Sequence, residues 1–171
     1  TPMQVPTRFE YVLGTLNQVC AGFLVASAVT GLYQLLFAMG WSDQPFYNTY
    51  QFNLNIFHPA RVTMLWLIVV GSFLVGLVFL AAGAGLKYGL PWGDRACVIA
   101  ALLLLVFVTA QLLYGVMVLH PARERALLAS LGSIPEGYER GIQDRYALIY
   151  AVPLQVYGVA LLVIMTMRRS S

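Results

Sequence analysis

The chain has 171 residues, of which 60% are hydrophobic and only 10% charged, with a net charge of +3 and a mean hydropathy of +0.75. That balance excludes a soluble globular domain, and the lack of any basic tract excludes nucleic acid as a partner. The length suits one domain, and the solvent its side chains suit is a lipid bilayer.

Tracts free of Asp, Glu, Lys and Arg run over 11–42, 62–86, 96–122 and 146–167. Each exceeds the roughly 20 residues that a helix needs to cross hydrocarbon, and backbone amides in lipid must be satisfied within their own segment. The tracts are too long and too uniformly apolar for barrel strands. The expectation is therefore an all-α integral membrane protein, a single four-helix transmembrane domain over 1–171. Its spans fall near 17–40, 62–86, 96–119 and 146–167, with a short interfacial amphipathic helix between the third and fourth. No charged region followed by a short apolar run and a cleavage site opens the chain, so the first helix is read as its own insertion signal.

Residues 1–14 hold two prolines and the charges around Arg8, and read as an interfacial lead-in. The first span carries two small-xxx-small pairs, Gly22/Ala26 and Ser27/Gly31, which permit close approach of a neighbouring helix. Ser27, Thr30 and Gln34 share one face, and a polar stripe in lipid is expected to face protein. Residues 41–61 are rich in aromatics, and from Tyr50 to Ile56 apolar and polar side chains alternate as in an extended strand. Tyr47, Tyr50, Phe52 and Phe57 then form either an aromatic belt at headgroup level or a docking edge for a partner subunit. Pro59 suits the first position of the second helix, with His58 as its cap residue.

The second span includes Gly71, Ser72, Gly76 and a small-residue run at 81–85, again favouring tight helix contact. A short turn at 87–95, with Pro91 and Gly93, makes the second and third helices antiparallel neighbours. Their open ends carry the same tetrapeptide, His-Pro-Ala-Arg, at 58–61 and 120–123, which includes both histidines of the chain. Residues 121–132 read as the interfacial helix, with Pro121 at its start and Gly132 at its end. A loop at 133–145 leads to the fourth span, where Pro153 is expected to kink the helix and Gln155 to supply a polar partner. Cys20 and Cys97 fall on the same side of the membrane and read as small core residues, since no spacing suggests a disulfide framework or metal cluster.

Each side of the membrane holds five basic residues: Arg8, Lys87, Arg95, Arg168 and Arg169 with the termini, and Arg61, Arg123, Arg125, Arg140 and Arg145 opposite. The first set lies on short segments that flank spans directly, at a net 5 − 2 = +3 against 5 − 5 = 0 for the other. Both termini are therefore read as cytoplasmic, in a bacterial plasma membrane.

Two short segments carry what chemistry there is. His58 and His120, brought to one membrane edge, could serve as axial ligands of a b-type haem, or as ligands of a metal ion with acidic residues of the same side. The plainer reading makes each histidine a helix cap ahead of a favourable proline, with Arg61 and Arg123 meeting lipid phosphates. Gln34, Gln111, Tyr114, Gln155 and Tyr157 could hydrogen-bond a quinone or pigment, or simply join helices to one another. Glycine-rich phosphate loops, HExxH, CxxC and GxSxG patterns are missing from the sequence, and no span carries an Asp, Glu, Lys or Arg. The expectation is an accessory subunit of a larger membrane complex, of respiratory or photosynthetic electron transfer, without catalytic activity of its own. A small cytochrome-b-like redox subunit is the alternative, and a four-helix transport component the second.

Overall fold

A computed structural model describes residues 5–40, 59–132 and 140–170, and among these the regular structure is entirely helical. The elements are α1 (Arg8–Gly40), α2 (Pro59–Lys87), α3 (Gly93–Tyr114), a π turn (Gly115–Leu119), α4 (His120–Leu131) and α5 (Arg140–Ser170). Four stretches are long and apolar enough to cross a membrane, Arg8–Leu36, Pro59–Lys87, Gly93–Ala122 and Ile149–Arg168. The chain is an integral membrane protein with four helical spans.

The first helix begins earlier than the lead-in expected at 1–14. Thr7 and Glu10 form a reciprocal capping box: the Glu10 amide donates to Thr7 Oγ1 at 3.3 Å, and the Thr7 amide donates to Glu10 Oε2 at 2.5 Å. Two otherwise orphaned amides are thereby satisfied, and α1 starts at Arg8. At the other end of the chain α5 likewise starts before the expected loop has ended, at Arg140, and runs unbroken through Pro153 to Ser170.

Successive long helices pack as antiparallel neighbours, α1 on α2, α2 on α3, and α3 on α5. The α2–α3 connection is tight because α2 ends in a Schellman motif. Gly89 adopts φ 61°, which lets its amide donate to the Leu86 carbonyl at 3.2 Å and the Leu90 amide to the Gly85 carbonyl at 2.8 Å. The α1–α2 crossing is closer still. A Cβ on Gly14 would lie 2.7 Å from the Gly83 carbonyl oxygen, and one on Gly83 would lie 2.6 Å from that of Gly14, so only glycine fits on either side.

This crossing is not at the small-residue pairs expected from the sequence. Gly31 does meet Val69 and Ile68 of α2, but a Cβ on Gly22 would touch nothing within 4 Å. Nor does the polar stripe of α1 face protein throughout. Thr30 is exposed, and Ser27 and Thr30 satisfy their hydroxyls on the Phe23 and Ala26 carbonyls of their own helix. Gln34 alone of the three reaches another helix, accepting from Arg61 at 3.4 Å.

Residues 120–131 are helical and end at Gly132 in the left-handed conformation, as the sequence suggests. They are continuous with α3, however, instead of forming a separate element. Pro121 lacks an amide, and in a regular helix its ring would collide with the Met117 carbonyl. The helix widens just before it: the His120 amide bonds the Gly115 carbonyl, five residues back, in a single π turn. The strand expected at 50–56 and the loop at 133–139 lie outside the described residues.

The core lies where α1, α2, α3 and α5 converge, around Leu24, Phe79, Ala82, Ala100, Ala101, Leu104 and Leu161, all essentially solvent-free. Small residues on both helices let α3 and α5 approach: Ala100 and Ala101 of α3 are fully buried, and a Cβ on Gly158 of α5 would lie 3.1 Å from Leu105.

Candidate functional site

Polar side chains meet across helices at three levels. At the end where both described chain ends lie, Arg168 of α5 pairs with Glu10 of α1 and approaches Asp94 of α3 at 3.5 Å. Beside it Lys87, the last residue of α2, donates to Gln18 Oε1 of α1 at 2.6 Å, with its ammonium 5.0 Å from the centre of the Tyr11 ring. The cation sits at the helix C-terminus, where the peptide dipoles favour it.

About two turns deeper lies the inner cluster. Asn17 of α1 is fully buried, its Nδ2 donates to Cys97 Sγ of α3 at 3.3 Å, and its Oδ1 accepts from the Tyr157 hydroxyl of α5 at 2.7 Å. The Cys97 thiol in turn points to the Ala82 carbonyl of α2 at 3.9 Å, a weak contact that completes a link through all four spans. Phe79 stands against the Tyr157 ring with centroids 6.1 Å apart. A primary amide buried in an apolar interior is costly unless its donors and acceptor are used, and here both ends of the Asn17 side chain are. Cys20 and Cys97 are both buried free thiols, in keeping with their expected place as small core residues.

Toward the opposite end, Gln155 of α5 reaches Thr109 of α3 at 3.5 Å, and the Tyr114 hydroxyl of α3 donates to the Ala60 carbonyl of α2 at 3.2 Å. The Tyr114 bond places Ala60, near the start of α2, beside the end of α3. Of the residues singled out from sequence, Arg61 is half-buried on α2 and bonded to Gln34, His120 is half-buried at the junction of the π turn and α4, and Arg123 lies on α4. His58, Tyr47, Tyr50, Phe52 and Phe57 lie outside the described residues. Among the described residues no group of three or more His, Cys, Asp or Glu side chains is placed to hold a metal ion.

Sequence reasoning gave no interhelical role to Asn17, Glu10, Asp94, Lys87 or Arg168, and counted Lys87 and Arg168 only among the charges that set the orientation. A signal existed for the first of these: Asn17 is the one asparagine in a helix otherwise dominated by apolar side chains, at a depth where an unpartnered amide is unfavourable. Of the residues read as either ligand contacts or helix joiners, Gln34, Tyr114, Gln155 and Tyr157 are all bonded to a neighbouring helix. Compared with known proteins, the chain matches no family model, no curated protein and no solved structure.

Proposed function

We propose that this chain is an accessory, structural subunit of a larger integral membrane complex, whose role is to hold partner helices and lipid in place. The observation that carries this reading is that polar side chains join one helix to another at three levels of the bundle, through Arg168 and Lys87, through Asn17, and through Gln155 and Tyr114. Large apolar side chains such as Val19, Val29, Leu74, Val106 and Val156 are left on the outside, where lipid and partner helices meet them. The aromatic segment around Tyr47, Tyr50, Phe52 and Phe57 is assigned to partner or headgroup contact, and Arg61 and Arg123 to lipid phosphates. The stretch 120–131, with its arginines, is placed at headgroup level. Both termini are assigned to the cytoplasm of a bacterial plasma membrane, from the arginines and Lys87 on short flanking segments.

Electron-transfer complexes are the class to test first, because reduced-minus-oxidised spectra also test His58 and His120 as haem ligands. Membranes are extracted in a mild detergent and resolved by native electrophoresis, with reduced-minus-oxidised spectra taken from the band that contains the chain. The reading expects migration with larger partners. A monodisperse chain that migrates alone overturns it, and a b-type band lost in both His58→Ala and His120→Ala replaces it with the haem-binding alternative.

A further inference from the structure

The contacts between α1 and α5 differ in kind from those of every other adjacent pair. The α1–α2 pair meets backbone to backbone at Gly14 and Gly83, the α2–α3 pair at Gly85 and Gly93, and α3 receives α5 at Gly158 against Leu105. Between α1 and α5 no glycine among the described residues brings the backbones together, and the polar and aromatic contacts are made by side chains beside the apolar core that Leu24 and Leu161 share. Arg168 reaches Glu10 at the rim, Tyr157 reaches Asn17 in the middle, and Phe23 and Tyr150 stand 6.3 Å apart farther along. These three bridges are spaced six or seven residues apart on α1, about two turns each, in antiparallel order.

Helix pairs in lipid are held mainly by close packing, and a single interhelical hydrogen bond adds little. A seam closed by side chains, with no glycine contact of the two backbones, is therefore the first to part. We infer that the α1–α5 seam is a lateral gate: α5 swings away from α1 about its packed contact with α3 at Gly158, opening the inner cluster to the lipid phase. The α1–α2–α3 unit stays together as it does so. Arg168 is the rim latch, because it engages Glu10 on α1 and Asp94 on α3 from the end of α5. Tyr157 is the inner latch, and its release exposes the Asn17 amide. This inference stands independently of the accessory-subunit reading.

The test is a pair of distance measurements on the full chain in lipid nanodiscs. Nitroxides placed at Val19 and Val159, both exposed, report across the seam, and nitroxides at Val19 and Leu80 report across the α1–α2 contact. The gate predicts a second, longer component in the seam pair, its share rising about three-fold when the inner latch is removed with Tyr157→Phe. Arg168→Gln, at the rim and away from the core, provides a second variant expected to act in the same direction. The α1–α2 pair keeps one narrow distance throughout. A seam distance that stays single and narrow in both variants overturns the gate, and so does equal broadening of the two pairs.

Discussion

Replacing Tyr157 by Phe removes one oxygen and keeps the ring that stands against Phe79. The Tyr157 hydroxyl is the donor to Asn17 Oδ1 at 2.7 Å, and Asn17 has no exposure to draw on for another. An interhelical hydrogen bond in a membrane protein contributes ~0.6 kcal/mol on average and ~1.7 at most. A buried acceptor left unsatisfied costs about 1–3 kcal/mol. The substitution should therefore destabilise the bundle by about 1–2 kcal/mol. Asn17→Leu, of similar branched shape, strands the Tyr157 hydroxyl instead and should cost about as much. The two together remove both partners, so the double variant should lose about 1 kcal/mol less than the sum of the two single losses. Reversible unfolding by sodium dodecyl sulfate in mixed micelles, followed by tryptophan fluorescence, measures all four corners of the cycle. If the single losses add to within ~0.3 kcal/mol, the hydroxyl and the amide are not coupled and the account of the inner cluster fails.

The glycines of α1 should divide sharply by position. Gly14→Ala sets a methyl group 2.7 Å from the Gly83 carbonyl and is expected to lose about 1–3 kcal/mol in the same titration, while Gly22→Ala, facing open space, should stay within ~0.5 kcal/mol of the parent. Pro121→Ala restores the missing amide and removes the ring, so the π turn should relax to a regular helix; amide hydrogen exchange then detects a newly protected amide at residue 121. An unprotected amide at that position would mean that something other than the proline holds the turn open.

Composition and periodicity are sufficient for the number of spans, because satisfying the backbone in lipid leaves a long apolar tract no choice but to be helical. The positions of the contacts are another matter. Gly22/Ala26 and Gly14/Gly83 are equally good small-residue candidates on paper, and only the rotation of α1 about its axis decides which faces α2. That rotation is set by Asn17 and Gln18, whose partners Cys97, Tyr157 and Lys87 lie 80, 140 and 69 residues away along the chain. The start of α1 was legible, in the Thr7 and Glu10 spacing, but prolines nearby gave the stretch the look of a loop. The continuity of α3 into α4 was hidden for a similar reason. A proline at the start of a charged stretch reads as a new helix, and the widening that accommodates Pro121 leaves no mark in the sequence.

Helices cushioned by flexible side chains can slide along each other by a turn, as interfaces in switching proteins do. Where Gly14 and Gly83 face each other there is no such cushion. A shift of one turn, roughly 5.4 Å, would bring Glu10 or Gln18 into a space that a single methyl group cannot enter. The register of the first two spans is thus locked by geometry, and whatever movement crosses the bilayer through them must be a tilt of the pair as one rigid piece.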